Sequence, residues 1–427
     1  MKVLLDHAAY SPDFKTPGYG QTPALASFAG KTLLEAQISL LLYGGADEIV
    51  VLLPKGADKS SFPEGKQIRY VYLKKPLGGG GSLAKVAASL GEFLFVPGNL
   101  LPCLDLSRFC KAHNKGDGFL TLFAQPKPYP ETEDIVLSPD GKHVSAIMPR
   151  GADGRADFNY QNLVPLDLCF VSSDLSETFD PEEEEPFPFH DGVLLPTVES
   201  GLACYYSSPE IVHRLDDEGL IPAEKDYLSG RMEARNLKNH QRAIFLDRDG
   251  TINVFGDYVV RPEMLTLLPF ASEAIKKINE SPYLCICATN QPLVARGEAS
   301  LAQVNDIHAY MGKLLGAEGA YLDALYVCPH FPKEHFHGKG DDAYLISCSC
   351  RKPKIGMLEK AKAAFNIDLT KSYFIGDTLQ DVQTGINAGA HPLLVTCGDP
   401  RPAKKCADAV PEAAFSTTLE AVEYILK

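Results

Sequence analysis

A short apolar run, Ala243–Leu246, breaks directly into Asp247-Arg248-Asp249-Gly250-Thr251. Four consecutive apolar residues leave no polar side for water, so the run reads as a strand buried on both faces, as in a parallel sheet covered by helices. Residues i and i+2 of an extended chain point the same way, so Asp247 and Asp249 emerge together where the strand ends. In open α/β sheets that is the ligand-binding end. One carboxylate can attack phosphorus; the other can protonate the leaving oxygen and later activate water.

The rest of the chain fits an α/β architecture, with apolar runs alternating with helical patterns. In the first half, strands are expected at Lys2–Leu5, Glu48–Leu53, Arg69–Leu73, Phe93–Val96, Phe119–Phe123 and Leu166–Val171, and a helix at Thr32–Tyr43. In the second, runs at Tyr283–Ala288, Leu325–Cys328, Tyr373–Ile375 and Leu393–Val395 follow Ala243–Leu246. Helices are expected between them at Phe270–Glu280, Ser300–Leu315, Gly356–Phe365 and Thr378–Ala388. The polar, basic stretch Ser229–Arg242 reads as a connector. The 427 residues therefore divide into 1–228, a connector 229–242, and 243–427.

Composition removes several classes. A net charge of −14 argues against a nucleic-acid binder, which needs clustered Lys and Arg. No apolar run reaches the ~18 residues of a membrane span, and the start of the chain does not read as a signal peptide. Eleven cysteines, with Cys169, Cys285, Cys287 and Cys397 inside apolar runs, suggest reduced thiols in a cytoplasmic protein. The acidic block Glu182–Glu185 reads as a solvated loop.

Three further elements join the first. Thr289-Asn290-Gln291 ends a strand, where a hydroxyl and amides can hold phosphoryl oxygens. In Arg351-Lys352-Pro353, Lys352 can neutralise charge on a phosphoryl group in flight. After Tyr373–Ile375 comes Gly376-Asp377, with Asp381 one turn later; Asp377 can complete an oxygen site for Mg2+ with Asp247. About 42 residues separate Asp247 from Thr289 and about 63 separate Thr289 from Lys352. Neither gap has room for a large cap domain, so the site should be open. Cys328, His330, Cys348 and Cys350 fall within 23 residues in two tight pairs, the donor set of a closed structural zinc site. His335 and His337, inside the loop, are expected to be solvated.

This constellation resembles the haloacid-dehalogenase (HAD) superfamily of phosphatases over about 185 residues. Within it, Ile244–Asn253, Thr289–Gly297, Cys328–His330 and Cys348–Pro353 are most similar to the D-glycero-D-manno-heptose 1,7-bisphosphate 7-phosphatases. Histidinol-phosphate phosphatases share the zinc-loop design and are the alternative. The resemblance implies a capless HAD Rossmannoid fold with Asp247 as nucleophile and Asp249 as acid/base. It also implies Mg2+ held by Asp247, Asp377 and the backbone carbonyl of Asp249, with Thr289 and Lys352 orienting the phosphoryl group. Asn290, Gln291, Arg296, Arg351 and Tyr258 are the candidate substrate contacts. Thr378 departs from the basic residue common in single-domain relatives. The implied partner is a small phosphorylated sugar, with no nucleic acid and no membrane; homo-oligomerisation is left open.

In the first half, Phe28–Val51, Pro76–Leu83 and Phe93–Leu106 resemble sugar-1-phosphate nucleotidyltransferases, which implies a Rossmann-like fold of the GT-A type. The chemistry departs from that family. Asp6–Ser11 stands in place of the Gly-rich phosphate cradle, and Pro23 in place of a lysine. Asn99 in Gly98-Asn99 replaces a metal-binding aspartate, and the second such position falls near Arg214, with Asp216 and Asp217 close by. Pro76–Leu83 reads as a Gly-rich turn. The expectation is a domain that keeps the fold without turnover; the alternative is a bifunctional enzyme that also transfers a nucleotidyl group.

Overall fold

The computed structural model describes residues 1–8, 24, 26–57, 62–126, 133–138, 141–149, 163–180, 182, 185–215, 220–255, 259–397 and 408–427. The chain divides into two compact units. One is built from Met1–Gln125, Glu133–Pro149 and Leu163–Lys238; the other has Asn239–Lys427 as its continuous body.

The first unit contains a seven-stranded sheet. Its strands are β1 (Lys2–Asp6), β2 (Glu48–Pro54), β3 (Ile68–Leu73), β4 (Phe93–Pro97), β5 (Leu120–Pro126), β6 (Leu163–Val171) and β7 (Ala203–Ser207). They lie in the order β7-β5-β6-β4-β1-β2-β3. β6 runs antiparallel to β4, while β1 pairs in parallel with both β2 and β4. Leu4, Val50 and Phe95 pack on one face, and Val3, Leu5, Val51 and Val96 on the other. Burial on both sides is why these strands read as unbroken apolar runs. The helix Leu33–Gly44 starts at a capping box, in which Thr32 and Glu35 each satisfy the other's backbone N–H.

One expectation for this unit needs correction. Pro76–Leu83 is not a turn, since Gly78–Ala84 is helical. A Cβ at Gly80 would lie 2.2 Å from the Phe187 ring, and one at Gly78 2.4 Å from the Phe187 carbonyl oxygen. The glycines therefore admit the Phe187 segment rather than loosen the chain. Within the polar stretch Ser229–Arg242, Arg235, Asn236 and Leu237 are buried. Leu237 N–H donates to the buried Glu210 carboxylate, which also accepts from Asp105 N–H and the Ser208 hydroxyl.

His7 gives this unit a pH dependence. Its ring is buried against Gln37 (2.8 Å), and burial pushes its pKa down to about 4 against the hydrogen bond. The unfolded chain takes a proton near pH 6.5 and the folded chain only near 4. The stabilisation is therefore complete above 6.5 and is lost as pH falls through 4, by roughly 3 kcal/mol at most. Thermal melts of wild type and His7→Gln between pH 8 and 4 should diverge in slope. Parallel curves would refute the assignment.

The second unit is a six-stranded, all-parallel sheet. Its strands are β8 (Arg242–Leu246), β9 (Tyr283–Asn290), β10 (Ala324–Cys328), β11 (Tyr373–Gly376), β12 (His391–Val395) and β13 (Ala413–Phe415), in the order β10-β9-β8-β11-β12-β13. Helices Ala271–Asn279, Leu301–Ala317, Gly356–Phe365, Leu379–Ala388 and Thr418–Ile425 accompany it. Ile244 and Leu246 enter one core layer, and Ala243 and Phe245 the other. No helix among the described residues is long and apolar enough to cross a membrane.

Candidate active site

The chain leaves the central strand β8 toward β9 and β10, then returns on its other side at β11. A crevice outside the C-terminal strand ends, at such a reversal, is where open α/β sheets bind ligands. Asp247 follows β8, Thr289 and Asn290 end β9, and Asp377 follows β11. A cavity of about 220 Å³ lies there, with Asp247, Asn290, Arg296, Arg351, Lys352 and Asp377 in its wall.

Lys352 is buried with its Nζ 2.8 Å from Asp247 Oδ1 and 2.6 Å from Asp381 Oδ1. Burial alone would lower its pKa, but the two carboxylates outweigh burial and hold the ammonium above the ordinary lysine range. For Asp247 the balance goes the other way. Burial pushes its carboxyl up to about 6 despite Lys352, with Asp381 and Asp249 adding repulsion.

Asp381 has two tasks. One oxygen holds Lys352; the other accepts from the Thr378 hydroxyl and backbone N–H (2.5 and 3.2 Å), capping the helix Leu379–Ala388. It fits because residue 376 is glycine: a Cβ there would lie 2.3 Å from Asp381 Cβ. Asp381 was noted in the sequence without a role. Its signal was the Thr378-x-x-Asp381 spacing of a capping box.

Asp249 is held from behind. Arg248, fully buried, donates to it at 2.8 Å, Asn253 at 3.0 Å and Gln291 at 2.8 Å. Burial opposes its charge, but these donors prevail and keep the carboxyl below the usual range. Arg248 also donates to His308 Nε2 at 3.1 Å. Burial, aided by the Arg248 charge, pushes His308 down to about 3, so its ring is the neutral acceptor this bond requires. Neither Arg248 nor His308 was picked out from the sequence, since a buried arginine is indistinguishable there from a surface one.

The remaining expected residues sort by position. Thr289 is buried at the strand end, where its Oγ1 accepts from Gln291 at 3.0 Å. Asn290 exchanges hydrogen bonds with the Lys352 backbone, donating to its carbonyl at 3.3 Å and accepting from its N–H at 3.0 Å. Gln380 donates to the same carbonyl at 2.7 Å. Tyr258 lies outside the described residues.

Among the described residues three groups of side chains could hold a metal ion: Asp117, His143 and Cys204 in the first unit, and two groups here. Carboxylate oxygens of Asp247, Asp377 and Asp381 lie within 4.8 Å of one another, and such hard oxygen donors suit Mg2+. The thiols of Cys328, Cys348 and Cys350 lie 3.2–3.6 Å apart without a disulfide. His330 Nδ1 is 3.3 Å from Cys350 Sγ. Three sulfurs and one imidazole converging on a single point fit a four-coordinate zinc ion. His335 and His337 are exposed.

In the first unit, Arg214 pairs with Leu100, and Leu215 N–H donates to the Asn99 carbonyl at 2.7 Å. The two positions that depart from the metal-binding pattern are thus neighbours. Residues 9–11, Pro23, Asp216 and Asp217 lie outside the described residues.

Residues 349–421 match the family model described as HAD-hydrolase-like. The D-glycero-beta-D-manno-heptose-1,7-bisphosphate 7-phosphatase of Haemophilus ducreyi is 37% identical over 160 residues, 37% of this chain and 85% of that protein. A crystal structure of the D,D-heptose 1,7-bisphosphate phosphatase from B. bronchiseptica, with magnesium and phosphate, is 33% identical. It covers 44% of this chain and 98% of its own, with a TM-score of 0.38. The inositol-1-phosphate CTP transferase from T. maritima is 16% identical and covers 54% of this chain and 95% of its own, with a TM-score of 0.41.

Proposed function

The chain belongs to the family of the D-glycero-D-manno-heptose-1,7-bisphosphate 7-phosphatases, and from that premise we propose that it hydrolyses the 7-phosphate of such a sugar bisphosphate through a phospho-Asp247 intermediate. The observation that carries this reading is the buried Asp247–Lys352–Asp381 array in the wall of the cavity at the strand ends. Lys352 fixes the Asp247 carboxylate and places its positive charge where the transferred phosphoryl oxygens gather. Asp247 forms the new P–O bond as the sugar oxygen leaves with a proton from Asp249. Asp249 then takes a proton from the water that cleaves the acyl phosphate. Arg248 keeps Asp249 ionised for that second half, so before the first half Asp249 must take up a proton from solvent, with its pairing to Arg248 loosened, to have one to give the leaving oxygen. Mg2+ held by Asp247, Asp377 and the Asp249 carbonyl would supply charge neutralisation of the phosphoryl group.

Domain limits of 1–228 and 243–427 accompany this reading. The first domain is proposed to keep a nucleotidyltransferase-like fold without turnover, since Asn99 and Arg214 offer no carboxylate for a metal. Phosphate release should be measured across heptose bisphosphates, histidinol phosphate and simple monophosphates. Nucleotide-sugar formation should be measured in parallel from the four common nucleoside triphosphates. The expected outcome is preferential release from a heptose 1,7-bisphosphate and no nucleotide sugar. Preferential release from histidinol phosphate would overturn the substrate.

Cys328, His330, Cys348 and Cys350 are proposed to bind one structural zinc per chain. Arg351 follows Cys350 directly and donates to the His330 carbonyl at 3.1 Å, so stripping the zinc should misplace it. Elemental analysis should find about one zinc per chain, and the metal-free protein should lose activity that Mg2+ alone does not restore. Full activity without zinc would count against the assignment.

A further inference from the structure

One aromatic ring beside the cavity takes no part in the chemistry above. Phe331 follows the proposed zinc ligand His330. The Arg296 guanidinium lies over its ring at 5.0 Å from the centroid, and that of Arg351 at 4.8 Å. Both arginines are in the wall of the cavity that holds Asp247 and Lys352, whereas Phe331 is not. Phe331 reaches the site only through the side chains it carries.

Two guanidiniums on one ring need a reason. Like charges repel, and the negative face of a ring offsets part of that repulsion while fixing each group against it. The ring is itself held in place: Phe331 N–H donates to the Tyr344 carbonyl at 3.1 Å, and Phe336 meets its ring edge-on at 6.3 Å. Arginine side chains are otherwise long and rotamer-rich, and ordering them on binding costs affinity. The cation at the reacting phosphate is Lys352, already committed to Asp247 and Asp381. A substrate with a second phosphate needs positive charge elsewhere, and guanidinium groups match phosphate oxygens in pairs.

We infer that Phe331 is a positioning residue whose ring presets Arg296 and Arg351 as a receptor for the phosphate that is not cleaved, giving the site its preference for bisphosphorylated sugars. This rests on the sugar-bisphosphate reading above. It also assigns the loop around His330 a part in specificity as well as in shape.

The test compares kcat/KM for a heptose 1,7-bisphosphate with that for the heptose 7-phosphate, which shares the scissile group and lacks the second phosphate. Phe331→Leu should lower the ratio of the two about tenfold, as expected for losing the aromatic face under two cations. The loss should be in KM for the bisphosphate rather than in kcat. Phe331→Tyr, which keeps the ring, should restore most of the ratio. A Phe331→Leu protein that loses activity on both substrates in proportion, or that Tyr fails to rescue, overturns the positioning role. A wild-type ratio near one overturns the bisphosphate reading itself, and this inference with it.

Discussion

Asp247→Asn should cut phosphate release by at least about 10⁴-fold, the scale seen when a nucleophile is removed from an intact site. The amide matches the carboxylate in size and keeps an oxygen for the Arg248 N–H, which donates to Asp247 Oδ1 at 2.7 Å. Lys352 keeps Asp381 as a partner at 2.6 Å, so no buried cation is stranded. Folding should therefore survive while the chemistry stops, because an amide cannot form the acyl phosphate. The measurement is single-turnover phosphate release beside a thermal melt. A variant that keeps a tenth of wild-type activity would falsify the nucleophile assignment.

Lys352→Met should damage both folding and function. The side chains are similar in length, but the substitution leaves Asp247 and Asp381 facing each other in a buried site without their shared cation. Removing one member of a buried ion pair costs about 3–5 kcal/mol, and here one lysine serves two carboxylates. Denaturant unfolding should show a loss of that size, and phosphate release should fall with it. Stability within about 1 kcal/mol of wild type would mean that the array contributes little to holding this unit together.

How legible the site was in the sequence depended on how each residue reaches it. Asp247, Asp249, Thr289 and Asp377 could be read because they follow or end apolar runs, and a strand end fixes where a side chain emerges. The cysteines and His330 could be read from spacing alone. Arg248, His308 and Gln380 could not, since each acts through a partner distant in the chain: Arg248 meets His308 sixty residues on, and Gln380 meets the Lys352 carbonyl. The same contrast holds for the fold. Strands with both faces buried stood out, whereas β7 (Ala-Cys-Tyr-Tyr-Ser) and the hairpin of Glu133–Leu137 with Val144–Pro149 mix polar residues into short runs. Gly78–Ala84 misled because four glycines suggest a turn until the Phe187 segment is seen packed against them.

The divided carboxylate of Asp381 joins two events that are usually separable. One of its oxygens takes the Thr378 donors and caps the helix Leu379–Ala388, while the other is one of the two carboxylate oxygens that hold the Lys352 ammonium. Rotation of a single side chain would weaken both at once. Fraying of this helix end would therefore loosen one of the two anions that steady the Lys352 ammonium at the reaction centre.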